Sequence, residues 1–81
     1  ILFRGVKIGK NAVVKNSILY QDVFTGENVT LGYIVADKNV VVRDGVTLRY
    51  VITDKYVEVL PGRTLMGHES YPIVISKGSI V

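Results

Sequence analysis

A single histidine is the residue in this sequence that most suggests acid–base chemistry. His68 is the only histidine in the chain, and an imidazole titrates close enough to neutral pH to serve as a general base. The only carboxylate placed beside it belongs to Glu69, so we interpret His68 as a structural surface residue. Cysteine is absent, which excludes disulfides and thiolate zinc sites. The sequence therefore predicts no catalytic residue, no metal ligand and no cofactor-binding residue, and no cofactor is expected.

One group of cations is a candidate contact for an anion. Lys38 and Lys55 each directly follow an aspartate, and Arg49 stands between them in the chain. Three cations so arranged could form part of a site for an anionic effector. Alternating charges on solvated turns explain the same residues more simply, and we favour that interpretation.

These residues belong to a sequence repeat of fixed period. The unit at 40–56 is preceded by similar units at 6–22 and 23–39, and the pattern continues from Val57. Self-similarity at a fixed period is the signature of stacked repeats, in which each unit closes the core of its neighbour. The sequence therefore predicts a solenoid.

Each repeat divides into three short strands separated by three polar corners. Alternation along a half-buried strand places two inward residues around one outward residue. The inward residues are predicted to be Val6/Ile8, Val23/Thr25, Val40/Val42 and Val57/Val59 on the first face, Ala12/Val14, Val29/Leu31 and Val46/Leu48 on the second, and Ser17/Leu19, Ile34/Ala36 and Val51/Thr53 on the third. Asn or Gly ends the first corner of every repeat, as positive φ favours. The predicted fold class is all-β, a parallel β-helix of about four coils shaped as a triangular prism.

The period breaks near the end of the sequence. Residues 67–72 place charge where the inward residues of a third strand should stand, so we predict a loop there. The pattern is predicted to resume at Ile75 as a partial coil that caps the prism, because terminal repeats of solenoids are usually atypical.

The outward positions of the third face are aliphatic in every coil. They are Ile1, Ile18, Val35 and Ile52, which occupy equivalent places in successive repeats. The equivalent positions of the first face include Lys7 and Glu58. An exposed apolar column usually marks a contact surface, so we predict an interface along these four residues.

Length and charge set the remaining limits. The 81 residues make one domain, 1–81, and the chain starts inside a strand-like pattern, so we expect it to be a fragment of a longer protein. The net charge of +3 is scattered through the turns, so no nucleic-acid partner is predicted. No apolar run approaches the roughly 18 residues of a membrane span, so no membrane partner is predicted either.

The first corner also carries a known local signature. The segment 8–13, IGKNAV, resembles the hexapeptide repeat, and 36–41, ADKNVV, is a looser copy. Proteins of that family fold as a left-handed parallel β-helix, and the left hand is expected from this resemblance. More narrowly, residues 5–29, 35–45 and the ending YPIVISKGSIV resemble the C-terminal domain of bacterial glucose-1-phosphate adenylyltransferase, in particular the glycogen-biosynthesis subunit regarded as regulatory.

This resemblance implies a cytoplasmic domain without activity of its own. In such enzymes catalysis belongs to an N-terminal nucleotidyltransferase domain with a glycine-rich phosphate loop. The implied partners are that domain, further subunits of a homo-oligomer or of a hetero-oligomer with the catalytic subunit, and a sugar-phosphate or nucleotide effector. The alternative is a fragment of a hexapeptide acyltransferase, a trimeric β-helix with a catalytic histidine between subunits.

Overall fold

The computed structural model describes residues 1–81 and contains twelve short β-strands and no helix. The strands form three sheets of four parallel strands. The first sheet contains β1 (Lys7–Ile8), β4 (Phe24–Thr25), β7 (Val41–Val42) and β10 (Glu58–Val59). The second contains β2 (Val13–Lys15), β5 (Thr30–Gly32), β8 (Thr47–Arg49) and β11 (Thr64–Met66). The third contains β3 (Ile18–Leu19), β6 (Val35–Ala36), β9 (Val51–Thr53) and β12 (Ile73–Ile75).

The strand register follows the period of the sequence repeat. Lys7 lies opposite Phe24, which lies opposite Val41, which lies opposite Glu58. The second sheet keeps the same spacing through all four strands. Each strand therefore lies on its counterpart in the coil before it, running in the same direction. The predicted parallel solenoid of about four coils is confirmed.

The core fills the inside of the prism. Every residue predicted to point inward from the second coil onward is buried, including the aliphatic pairs of all three faces. The predicted inward residues that are not buried all lie in the first coil. There Ile8 is 39% exposed, and Val6, Ala12 and Val14 are half-buried. Ile8 has the inward register, since it pairs with the buried Thr25. Its exposure arises because no strand of another coil covers this end of the first sheet.

Three inward positions carry hydroxyl groups. The Ser17 hydroxyl donates to the Lys15 carbonyl (2.8 Å) and accepts from the Ile34 N–H (3.2 Å). The Thr25 hydroxyl donates to the Lys7 carbonyl over 3.4 Å. The Thr53 hydroxyl is buried and has no hydrogen-bond partner. An unpaired buried hydroxyl destabilises the fold, so Thr53 is a weak point of the core.

The corners depend on residues in the left-handed backbone region. These are Asn11, Asn28, Gly45 and Gly62 at the first corner, Asn16, Tyr33 and Tyr50 at the second, and Gly5, Asp22, Asn39, Tyr56 and Gly78 at the third. Each turns the chain, and from Asp22 onward each donates its N–H to the coil before: Tyr33 N–H donates to the Lys15 carbonyl (3.1 Å), and Tyr50 N–H to the Gly32 carbonyl (3.0 Å). The predicted positive φ at the third place of the first corner is confirmed.

The last coil contains extra residues at its second corner. Val51 pairs with Ile73, which is 22 positions later instead of 17. The predicted loop at 67–72 is confirmed, and within it the backbones of His68 and Tyr71 form an antiparallel bridge. The prediction that the pattern resumes at Ile75 is wrong, because β12 already begins at Ile73. The structure has no helix long and apolar enough to cross a lipid bilayer.

Candidate functional site

The outward side of the third sheet carries one continuous aliphatic column. Ile18, Val35 and Ile52 lie opposite one another in register. Leu2 bridges to Leu19, which places the preceding Ile1 opposite Ile18. We call this column, together with Val74 at its far end, the third-sheet stripe.

The stripe extends one residue further than the sequence period indicates. Val74 lies opposite Ile52 in β12, and the inserted loop hides this relation in the sequence because it adds residues between the two. Val74 is 71% exposed, Ile1 76% and Ile52 38%, while Ile18 and Val35 are half-buried by their neighbours. Five aliphatic side chains thus line one side of the prism.

The predicted cation group is divided between two corners. Lys38 and Lys55 lie in successive coils at the third corner, where the Tyr56 N–H donates to the Lys38 carbonyl. Asp37 and Asp54 accept hydrogen bonds from the backbone N–H groups of those lysines (2.7 Å each) and form no ion pair with their side chains. Arg49 ends β8 in the second sheet, beside the second corner. The third sheet lies between the two corners, so the structure brings Lys38 and Lys55 together and not Arg49.

His68 stands on the inserted loop. Its N–H donates to the Tyr71 carbonyl (3.2 Å), and its carbonyl accepts from the Tyr71 N–H (2.9 Å). Its side chain is exposed and makes no hydrogen bond, and Glu69 is exposed as well. No group of three or more His, Asp or Glu side chains is close enough to hold a metal ion.

A groove on the second sheet was not predicted. It encloses about 420 Å³ over Gly32, between Lys15 and Arg49, with Thr30, Thr47 and Tyr33 along its sides. We call it the Gly32 groove. Gly32 lies opposite Lys15 on one side and opposite Arg49 on the other. The missing side chain in the middle of this outward column creates the depression.

Two stacked tyrosines stand at the corner beside the groove, and Tyr33 lines it. The rings of Tyr33 and Tyr50 stack with centroids 4.7 Å apart and planes 5° apart. The Arg49 guanidinium carbon lies 5.9 Å from the first centroid and 5.5 Å from the second, within the range of a cation–π interaction. The signal in the sequence was the recurrence of Gly32-Tyr33 and Arg49-Tyr50 at one corner, which shows that the corner is shared but not that the rings stack.

The chain matches a known family and no curated protein. The family described as GlmU-like, C-terminal hexapeptide matches residues 1–50, which is more than half of the chain. A search of curated proteins finds no significant match. Residues 51–81 continue the same three sheets in register beyond the matched part. The chain therefore belongs to the GlmU-like C-terminal hexapeptide family, and its solenoid is a left-handed, hexapeptide-repeat β-helix.

Proposed function

We propose that this β-helix is the C-terminal assembly and regulatory domain of a glucose-1-phosphate adenylyltransferase-like protein in bacterial glycogen synthesis. Its setting would be the cytoplasm, and the domain itself would not be catalytic. The sequence resemblance at 5–29, 35–45 and 71–81 supports the relation to that enzyme. The observation that carries the assembly role is the third-sheet stripe.

The stripe is well suited to contact another protein surface. Neighbouring parallel strands lie about 4.8 Å apart, so five residues in register form a ridge of about 19 Å. Its members are aliphatic, and those at Ile1, Ile52 and Val74 remain exposed. Burying apolar surface stabilises a complex by about 25 cal/mol per Å². A partner covering this ridge would gain that free energy without any change in the β-helix.

Two partners fit this proposal. One is the N-terminal nucleotidyltransferase-like domain of the same polypeptide, and the other is a second subunit, either identical or catalytic. A regulatory role would also include a sugar-phosphate or nucleotide effector, for which Lys38 and Lys55 at the third corner are the proposed contacts. Arg49 would act separately, because it lies at the second corner.

The sequence preceding Ile1 in the gene offers the first test. A nucleotidyltransferase domain of roughly 300 residues, an ordinary size for one or two domains, would support the proposal. A long array of further hexapeptide repeats would contradict it. A second test is activity: the purified 81-residue chain should not form ADP-glucose from ATP and glucose 1-phosphate.

A hexapeptide acyltransferase fragment is the second candidate. The exposed imidazole of His68 favours it, because the loop at 67–72 could present this side chain to a neighbouring β-helix. This candidate predicts transfer of an acetyl group from acetyl-CoA, and loss of that transfer in His68→Ala. Our proposal predicts no acetyl transfer above a buffer blank. Turnover that His68→Ala abolishes would therefore replace the regulatory proposal with the acyltransferase one.

A further inference from the structure

Gly32 is the one glycine whose presence the backbone does not require. Four glycines have positive φ, and three others would bring a Cβ within 3 Å of neighbouring backbone: Gly5, Gly45, Gly62 and Gly78, then Gly9, Gly26 and Gly67. At Gly32 φ is ordinary, and the nearest atom to an added Cβ is Arg49 Cγ at 4.0 Å. The register runs through Gly32 without a bulge. Gly32 ends β5, and a glycine in a strand that marks no bulge often marks the close approach of a ligand or another backbone.

The groove above Gly32 is lined by cations without counter-charges. Lys15 and Arg49 flank the glycine in register, and the chain's only ion pair joins Arg43 to Glu58 elsewhere. No aspartate or glutamate lines the groove. The Cα atoms of Lys15 and Arg49 are two strand spacings apart, about 10 Å, so both side chains can reach one carboxylate placed over Gly32. The groove is therefore complementary to a negatively charged occupant.

Arg49 already lies where such a contact needs it. Its guanidinium is within cation–π distance of the stacked rings of Tyr33 and Tyr50, which favours this position, and it makes no hydrogen bond. Both tyrosines have positive φ, a conformation that is unfavourable for bulky side chains. A cation ordered before binding loses less entropy when it pairs with a carboxylate. Tyrosine and arginine are also among the residues most enriched at the centres of protein interfaces.

We propose that the Gly32 groove binds an acidic, extended segment of a partner protein, with an Asp or Glu carboxylate between Lys15 and Arg49. The lining runs from Val13 in the first coil to Met66 in the fourth, about 14 Å, which about four extended residues span. The groove is open along this length, with Lys15, Thr30 and Arg49 all exposed. A small ligand usually needs a pocket that buries most of its surface, whereas an extended segment does not. The inference rests on the β-helix alone and is independent of the proposed enzyme.

The test is an NMR titration of the ¹⁵N-labelled 81-residue chain with the blocked peptide Ac-Gly-Glu-Gly-Glu-Gly-NH₂. Saturable shifts are expected at the amides of Gly32, Tyr33 and Arg49, with a dissociation constant in about the millimolar range, typical of a few exposed charged contacts. The matching peptide with Gln in place of Glu should bind roughly tenfold more weakly, because charge-assisted hydrogen bonds are about twice as strong as neutral ones. Added salt should weaken the binding of the acidic peptide as well.

Two variants and one control locate the site. Gly32→Thr fills the groove with a residue that favours strands, so the chain should stay folded and peptide binding should disappear. Arg49→Gln should weaken binding by about tenfold. Lys7→Gln removes the same charge from the exposed side of the first sheet and should bind as the parent does. Unchanged binding by Gly32→Thr, equal weakening by Lys7→Gln, or tighter binding of adenosine 5′-monophosphate than of the acidic peptide would each overturn the proposal.

Discussion

The second and third sheets have the same interior and opposite exteriors. Both contribute buried aliphatic residues to one core, such as Leu31 and Leu48 from the second sheet and Leu19 and Ile34 from the face of the third. Outside, the third sheet presents only aliphatic side chains in its central column, whereas the second presents threonines, cations and one glycine, with the exposed apolar residues Val13 and Met66 at its two ends. The interior is fixed by stacking, since each inward residue must match the one above it. The exterior is free of that constraint, so differences there are informative about binding.

The largest expected effect breaks the shared interior. Val42→Asp should unfold the chain, because an unpaired carboxylate in a dry core costs several kcal/mol against a total stability of roughly 5 to 10 kcal/mol. Val42 is 2% exposed. The control is Val74→Asp, which adds the same charge at a position 71% exposed and should keep the fold. Thermal melts followed by circular dichroism check both, and a Val42→Asp midpoint within a few degrees of the parent would contradict the inward assignment.

The next effect concerns the exterior of the third sheet. Changing Ile18 and Ile52 together to Lys should leave the fold intact and weaken self-association, or assembly of the full-length protein. The expected loss of affinity is roughly 30-fold or more, because a residue at the centre of an interface contributes about 2 kcal/mol. Sedimentation velocity across a concentration series measures this.

A matched pair of lysines away from both the stripe and the Gly32 groove is the control for the stripe. Phe24→Lys with Thr64→Lys adds the same two charges at outward positions of β4 and β11 and should assemble normally. If the two double variants assemble equally well, the interface lies on another face. If both are equally impaired, the loss comes from added charge and not from the stripe.

The smallest expected effect concerns the buried hydroxyl of Thr53. Thr53→Val removes the buried hydroxyl without a partner and should raise the free energy of unfolding by about 1 kcal/mol. For a domain of this size that is a rise of about 4 to 8 °C in Tm. Thr25→Val removes a hydroxyl that does donate a hydrogen bond and should gain less. A Tm for Thr53→Val at or below that of Thr25→Val would show that the Thr53 hydroxyl is satisfied in solution.

The interior was predictable from the sequence because stacking makes it periodic. Val23, Val40 and Val57 recur at the repeat period, and all are buried. The parallel register, the corners that end in Asn or Gly, and the column from Ile18 to Ile52 follow from the same period. The partial exposure of Ile8 could not be predicted from alternation, because it depends on whether a neighbouring coil covers that end of the first sheet.

The Gly32 groove was not predictable, since it depends on side-chain geometry across neighbouring coils. Tyrosine at positive φ, as at Tyr33 and Tyr50, contradicts the usual preference of such positions for Asn and Gly. The stacking of the two rings follows from their shared corner only once their rotamers are known. The sequence indicates Arg49 as a cation for an anion site together with Lys38. Only the structure shows that Arg49 lies near Lys15 instead. Whether it contacts an anion stays a prediction.

The inserted loop at 67–72 shows that chain length and strand register are separable in this solenoid. The residues beyond the repeat period are absorbed at one corner, closed by the paired backbones of His68 and Tyr71, and β12 still lies on β9 in register. The corner therefore works as a point of attachment: a guest peptide, an epitope or a fluorophore-binding tag placed between His68 and Tyr71 would be displayed at the edge of the prism while the strands on either side keep their partners.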